Sequence, residues 1–115
     1  MKKILLILTM ITIVFAVACT KKASPGKTTA KTTTYTTDIA PLVAAKCSPC
    51  HLPTKGGRKA DLENYAGAKK YGADMLARVM LNPTDRGFMP FKHDKLSAEE
   101  IATIKNWVDG GMPEN

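Results

Sequence analysis

The stretch Cys47-Ser48-Pro49-Cys50-His51 decides both the fold and the chemistry expected of this 115-residue chain. Two thiols stand three positions apart, and an imidazole follows the second thiol directly. Thiols and imidazoles are reactive groups and metal ligands, so their concentration in one short stretch indicates a site. The sequence on either side must then supply the elements that hold such a site.

The C-x-x-C-H spacing is typical of the covalent attachment of a c-type haem. Two thiols three positions apart can each form a thioether with one of two neighbouring vinyl groups on the same porphyrin edge. The adjoining imidazole then lies beneath the ring and is directed at the iron. We therefore expect one covalent haem c, bound through Cys47, Cys50 and His51.

Three other kinds of site use the same residue types and remain open at this point. A zinc site would need two more Cys or His ligands at partner spacing, and only His93 remains. A thioredoxin-like redox pair needs a βαβ context, which the sequence lacks. A Cys47–Cys50 disulfide fits an oxidising compartment but gives His51 no role.

A helical pattern leads into the C-x-x-C-H stretch. Ile39, Leu42 and Val43 fall at i, i+3 and i+4 and predict a first helix over 38–46. Short polar residues that can cap the first turn precede this pattern. The candidates for this N-cap are Thr37 and Asp38.

A second strong helical pattern closes the chain. Ser97-Ala98-Glu99-Glu100 is a capping box, and Gly110-Gly111 is a C-terminal stop, so we predict a helix over 98–109. One face of this helix is an apolar stripe. The stripe consists of Ile101, Ile104, Trp107 and Val108.

The middle of the chain is also helical in pattern. Residues 75–81 predict a third helix, which Asn82-Pro83 ends, and a shorter helix is expected from Asp61 to about Lys70. No segment shows the apolar and polar alternation of a strand. The fold class predicted from the sequence is therefore all-α.

Residues 38–112 resemble a small class I bacterial cytochrome c domain in three ordered motifs. The C-x-x-C-H stretch follows the first helix, Gly87-Phe88-Met89-Pro90 resembles the Met-Pro loop of that family, and 96–113 resembles its terminal helix with Trp and a closing Gly-x-Pro. The resemblance implies a class I cytochrome c-like fold, in which the N- and C-terminal helices cross around one covalent haem. It also implies Met89 as the second axial ligand beside His51.

The identity of the second axial ligand separates a carrier from a catalyst. Met89 lies in an irregular loop between Pro83 and Pro90, where it could project its sulfur across the haem. His93 is the rival ligand, and a vacant or labile position is the third possibility. The other methionines fit less well, because they belong to the leader (Met1 and Met10), to a helical stripe expected in the core (Met75 and Met80) or to the end of the last helix (Met112).

A domain of this size has a thin core by itself, and a haem would add an apolar surface on which helices pack. The wall facing both the helices and the haem is expected to consist of Ile39, Leu42, Val43, Ile101, Ile104 and Val108. Trp107 is expected in the core near the haem. Candidates for contact with a haem propionate are Tyr65, Tyr71, Arg58 and Arg78.

The second ring nitrogen of His51 should be fixed by the loop that follows it. We expect its N–H to donate to a backbone carbonyl within 52–61, which orients the ring and raises the basicity of the ligating nitrogen. Gly56-Gly57 would allow that loop to turn back.

The N-terminus has the pattern of an export signal. Met1-Lys2-Lys3 and the apolar run after it predict a signal peptide over 1–18. The small residues before Cys19 resemble the lipobox of bacterial lipoproteins, which implies a lipidated Cys19. Residues 19–34 then form the lipidated N-terminus and a flexible tether, and 35–115 form the cytochrome c domain. We expect a periplasmic protein that is lipid-anchored to a bacterial membrane.

The net charge of +7 does not indicate a nucleic-acid partner. From Tyr35 onward the chain has 11 basic and 10 acidic residues, so the excess of positive charge belongs to the leader and tether. We predict an electron-transfer protein that is not an enzyme, has redox proteins and the membrane as partners, and binds no small-molecule substrate. The alternatives are a haem peroxidase or gas-sensing domain with an open sixth position, and a haem subunit of a larger oxidoreductase.

Overall fold

The computed structural model describes residues 31–115. Its α-helices are α1 (Ala40–Lys46), α2 (Tyr65–Met80) and α3 (Ala98–Asp109). A π-helical turn, Tyr35–Ile39, runs directly into α1, and a short 3-10 turn spans Pro53–Lys55. The described residues contain no strand, so the prediction of an all-α fold is confirmed.

The predicted signal peptide, the lipidated Cys19 and the tether as far as residue 30 lie outside the described residues. None of the helices within 31–115 combines the length and the apolar character needed to cross a bilayer.

The first helical segment begins earlier than predicted and has a different cap. The Thr34 side chain accepts a hydrogen bond from the Thr37 amide at 3.4 Å, and the Asp38 carboxylate accepts one from the Thr34 amide at 2.9 Å. Neither Thr37 nor Asp38 is the N-cap, so that prediction is wrong. Thr34, assigned to the tether from the sequence, is only 8 % exposed, which places the start of the packed chain before Tyr35.

An ion pair reinforces this start. Lys31 Nζ lies 2.8 Å from an oxygen of Asp38. The hydrogen bond from Lys31, together with those from Thr34 and Thr37, lowers the pKa of Asp38 from 3.8 to about 2. The carboxylate is therefore charged at neutral pH and stabilises the first turn, where acidic groups complement the helix dipole.

The two helices predicted in the middle of the chain are one helix, α2, so the predicted break between them is wrong. Asn64 caps α2 by accepting from the Gly67 amide at 2.8 Å, and the helix continues through Gly72. A Cβ at Gly72 would lie 2.7 Å from the sulfur of Met112 and 3.0 Å from the Trp107 ring. Gly72 thus permits close helix packing and does not interrupt the helix.

The last helix has the predicted bounds and the predicted capping box. Trp107 is completely buried, its indole N–H donates to the Pro113 carbonyl at 2.8 Å, and its ring lies 6.2 Å from that of Tyr35, centroid to centroid. The turn Tyr35–Ile39 and α2 both pack against α3. The N-terminal helical segment and α3 therefore share one core.

Residues after α3 return to the start of the fold. The amides of Tyr35 and Thr36 donate to the carbonyls of Pro113 and Glu114, each at 3.0 Å. Amides in a first helical turn have no partner within the helix, so the C-terminal residues satisfy two of them. Both ends of the domain are fixed to each other, and the two loops between the helices are left to form a site.

Two methionines of α2 have different environments. Met75 is 7 % exposed and belongs to the core, as predicted, whereas Met80 is 54 % exposed. The prediction that Met80 lies in the core is wrong, because it occupies the last position of α2, where the chain leaves the helix.

Candidate functional site

A cleft of about 550 Å³ opens between α2 and the two long loops of the domain. We call these loops the cysteine loop (47–64) and the methionine loop (81–97). The volume is within the range of roughly 300–1,000 Å³ that is usual for ligand and cofactor sites. The residues that line the cleft are Lys46, Cys47, Ser48, Cys50, His51, Lys59, Ala60, Leu62, Tyr71, Asp74, Met75, Arg78, Val79, Met89, Pro90, Phe91, His93 and Leu96.

The imidazole of His51 is oriented by the loop that follows it. Its Nδ1 lies 2.7 Å from the carbonyl oxygen of Ala60. A carbonyl can only accept, so Nδ1 carries the proton and donates it, and the neutral ring has its lone pair on Nε2. The predicted hydrogen bond within 52–61 is confirmed, and His51 has the tautomer of a metal ligand that binds through Nε2.

The backbone of the cysteine loop is fixed by hydrogen bonds between its first arm (47–52) and its returning arm (57–62). The Lys59 amide donates to the Cys50 carbonyl, and the Leu62 amide donates to the His51 carbonyl, each at 3.1 Å. Within the first arm, the His51 amide donates to the Cys47 carbonyl at 3.1 Å. These bonds hold the backbone on both sides of His51, and the contact of Nδ1 with the Ala60 carbonyl holds the ring itself.

The predicted return of this loop at Gly56-Gly57 is also present. Gly56 has φ +81°, a conformation that favours glycine. A Cβ on Gly57 would lie 2.4 Å from the Pro49 carbonyl oxygen and 2.6 Å from that of Cys50. Backbone atoms cannot move aside easily, so only glycine fits where the returning arm crosses the cysteine stretch.

Both thiols of the stretch line the cleft and are not joined in a disulfide. Cys50 is exposed, whereas Cys47 is partly buried, and burial raises the pKa of its thiol from 9.0 to about 11. Cys47 is therefore a neutral thiol at pH 7. Within residues 31–115, no group of three or more His, Cys, Asp and Glu side chains is arranged to hold a metal ion.

Met89 lies in the same cleft as His51. Its amide donates to the carbonyl of Arg78 at 3.3 Å, and its neighbours Phe88 and Pro90 are buried. These contacts attach the methionine loop to the end of α2 and leave the Met89 side chain at the cleft surface.

Two of the other candidate axial ligands also line the cleft. Exposed His93 does so from the methionine loop, and buried Met75 does so from α2. Met80 and Met112 are absent from its lining. The geometry therefore brings three candidates together with His51 and leaves two methionines outside.

The four residues suggested for a propionate contact divide into two pairs. Tyr71 and Arg78 line the cleft, whereas Tyr65 and Arg58 do not. The Tyr65 hydroxyl instead donates to the carbonyl of Met112 at 3.0 Å. Tyr65 is thus a structural residue that joins α2 to the C-terminal segment.

Sequence reasoning missed two cationic residues at the cleft, Lys46 and Lys59. Lys46 directly precedes the first cysteine, and the amide of Lys59 is hydrogen-bonded to the Cys50 carbonyl. Adjacency to Cys47 could have indicated Lys46, but the position of Lys59 depends on the fold of the loop.

The predicted apolar wall is confirmed for helix packing and is wrong for the cleft. All six apolar residues named from the first and last helices belong to the core or pack against it. None of the six apolar residues named from the first and last helices lines the cleft, and neither does Trp107, although it is buried. The apolar surface comes instead from Leu62, Met75, Val79 and Leu96, all buried. The reason is the length of α2, whose second half lies along the cleft where the sequence suggested two short helices.

The α2 contribution did have a signal in the sequence. Tyr71, Met75, Arg78 and Val79 recur at the spacing of one helix face, and all four line the cleft. What the cleft offers is therefore a directed imidazole nitrogen, two unbridged thiols beside it, a thioether and a largely apolar surface.

Comparison of the chain with protein-family models, with curated proteins and with solved structures gives no match.

Proposed function

We propose that this protein is an electron carrier with one covalent haem c in the cleft. The observation that carries the proposal is the imidazole of His51, fixed through Nδ1 at 2.7 Å from the Ala60 carbonyl so that Nε2 is available to iron. Both thiols of the C-x-x-C-H stretch and the Met89 thioether line the same cleft. The residues present therefore fit a c-type haem.

Each of these residues has a distinct role in the proposal. Cys47 and Cys50 would form the two thioethers, and His51 and Met89 would be the iron ligands. A bound haem supplies one-electron chemistry between Fe(III) and Fe(II). If both side chains held the iron, no position would be left for a substrate, so the residues favour electron transfer over catalysis.

We further propose that the domain has a class I cytochrome c-like fold. Support comes from the order of its parts: the cysteine stretch follows α1 directly, the methionine loop precedes α3, and the N-terminal helical turn packs on α3. The buried side chains Leu62, Val79 and Leu96 would exclude water from the apolar faces of the porphyrin.

The proposed location is the periplasmic face of a bacterial membrane. The proposal rests on the signal pattern over 1–18 and on Cys19, which would carry the lipid. Anchoring with two or more acyl chains is stable, whereas one chain binds only marginally. Cys19→Ser should move the domain from the membrane fraction to the soluble periplasmic fraction without a change in its haem spectrum, and a variant that stays on the membrane would contradict the anchor.

The test of the function is absorption spectroscopy of the oxidised and reduced protein. A carrier with His51 and Met89 as ligands should show the weak near-infrared band of thioether ligation when oxidised, and should not bind carbon monoxide when reduced. A protein that binds carbon monoxide without a mutation would contradict the carrier and favour the peroxidase or sensor. Absence of covalent haem after export would contradict both.

A further inference from the structure

Apart from Ser97, which caps α3, the methionine loop donates hydrogen bonds to other parts of residues 31–115 only at the last turn of α2. The Met89 amide donates to the Arg78 carbonyl at 3.3 Å, and the Lys95 ammonium donates to the Met80 carbonyl at 3.2 Å. The last four carbonyls of a helix have no partner within it, so the loop uses acceptors that the helix leaves open.

Arg78 contacts this loop a second time, through its side chain. The guanidinium Nη1 donates to the Gly87 carbonyl at 3.5 Å, two residues before Met89. Gly87 has φ +94°, and a Cβ there would lie 3.3 Å from the same nitrogen. The guanidinium therefore lies close against the backbone of the segment that leads into Met89.

Asp74 orients that guanidinium. Its carboxylate accepts from Arg78 Nε at 2.6 Å, one helical turn earlier on α2. The Arg78 side chain is 43 % exposed and that of Asp74 is 58 % exposed, so their attraction is screened by solvent and adds little stability. The value of the pair is geometric, because a planar guanidinium held through Nε presents its other nitrogens in a fixed direction.

We propose that Arg78 is the positioning residue for Met89 and that Asp74 orients Arg78 for this purpose. The inference rests on the proposed function, in which the Met89 thioether binds the iron. The backbone carbonyl and the guanidinium of one residue hold the loop on either side of Phe88. Without this support, the Met89 side chain would leave the iron more readily. An external ligand would then compete better for the same position on the iron.

The test uses the oxidised, haem-loaded protein and imidazole as the competing ligand. Imidazole binding to the iron is followed by the loss of the near-infrared thioether band. Arg78→Gln should bind imidazole about fivefold more tightly, the factor that corresponds to one ordinary hydrogen bond. Arg78→Lys should behave like Arg78→Gln, since an ammonium is a point charge that cannot contact Asp74 and Gly87 together.

The matched control is Arg86→Gln, which removes the same charge one residue before Gly87. Arg86 makes no hydrogen bond or ion pair within 31–115, so its variant should bind imidazole like the wild type. Equal effects of Arg78→Gln and Arg86→Gln would show that charge alone acts, and would overturn the proposal. Wild-type behaviour of Arg78→Lys would overturn it in the same way.

A second readout separates this inference from the proposed function. Hydrogen exchange of the Met89 amide reports on the loop whether or not Met89 binds the iron. It should be about fivefold faster in Arg78→Gln and unchanged in Arg86→Gln. If the wild type lacks the thioether band, the proposed ligand fails while this measurement still decides the role of Arg78. If Arg78→Gln is not produced in folded form, Asp74→Asn takes its place, and an unchanged Met89 exchange rate in that variant overturns the proposal.

Discussion

The two loops that form the cleft are held in opposite ways. The cysteine loop is fixed by bonds between its own arms, which run from Lys59 to Cys50 and from Leu62 to His51 at 3.1 Å, and by the 2.7 Å bond that orients His51. The methionine loop has only short turns of its own, such as the bond from the Asp85 amide to the Asn82 carbonyl at 2.9 Å. It is attached to the last turn of α2 through bonds of 3.2 to 3.5 Å.

Because of this difference, we expect the two sides of the proposed haem site to differ in stability. Helix ends open more readily than loops whose two arms are hydrogen-bonded to each other, because the last carbonyls of a helix have few partners. Opening at the end of α2 would release Met89 and leave His51 in place. The comparison predicts a rigid histidine side and a more labile methionine side.

The largest effect should come from removing the thiols of the cysteine loop. The double variant Cys47→Ser and Cys50→Ser has no group that can form a thioether, so acid-acetone should extract all of its haem. The wild type should retain its haem in the same treatment. Each single variant should keep one thioether bond. The absorption spectrum of its haem in pyridine distinguishes one thioether bond from two. Complete extraction from the wild type would disprove the proposed attachment.

Opening the methionine side should have the next largest effect and should spare the attachment. Met89→Ala is expected to lose the near-infrared thioether band, to bind carbon monoxide when reduced and to have a lower reduction potential, since a thioether favours Fe(II). Covalent haem should remain, because the cysteine loop is unchanged.

The matched control for this change is His93→Ala, which alters a second candidate ligand in the same loop. It should leave the band, the carbon monoxide response and the potential at their wild-type values. If the His93 variant loses the native spectrum while the Met89 variant keeps it, the axial pair is His51 and His93. An unchanged spectrum in both variants would point to an open sixth position or to Met75, the other thioether that lines the cleft, since Met80 does not line it.

How much of this could be predicted from the sequence depends on how local each signal is. The capping box at Ser97 and the glycines after α3 are contiguous signals, and the bounds of α3 were predicted correctly. The carbonyl partner of His51 was also expected within a short loop. These features depend on neighbours in sequence, which a single chain displays directly.

The errors concern long-range packing. The continuity of α2 was missed, and the close approach of Trp107 and Met112 to Gly72 within this helix is visible only in the fold. The apolar wall was assigned to the first and last helices for the same reason. The N-cap at Thr34 was missed because Asp38 acts as a capping group four residues inside the segment.

Glycine substitutions should sharpen the comparison by testing how far each loop can adjust. Gly57→Ala brings a methyl group within 2.4 Å of a backbone oxygen, and overpacking of this kind costs about 3 kcal/mol of unfolding free energy. Gly87→Ala meets only side-chain ends, those of Arg78 at 3.3 Å and Leu81 at 3.9 Å, and should cost about 1–2 kcal/mol, mostly from its φ of +94°. Guanidinium chloride unfolding of the haem-loaded variants measures both values. Equal costs would mean that the cysteine loop adjusts as easily as the methionine loop.

The smallest effect should be a pH dependence within the cysteine loop. The Glu63 carboxylate accepts hydrogen bonds from the Thr54 hydroxyl and from the Thr54 amide, the latter at 2.9 Å, and these bonds lower its pKa from the ordinary 4.5. A carboxyl whose folded pKa is lowered contributes stability above its unfolded pKa, and this contribution is lost as the pH falls through the folded value. The wild type should therefore unfold at a slightly higher temperature than Glu63→Gln above the ordinary pKa of 4.5, and the two midpoints should converge as the pH falls through the lowered pKa of Glu63. Glutamine retains an oxygen that can accept but has no charge, so the variant isolates the ionised form. A constant difference between the two proteins from pH 6 to pH 3 would show that Glu63 acts by packing alone and does not hold the arms of the loop together through its charge.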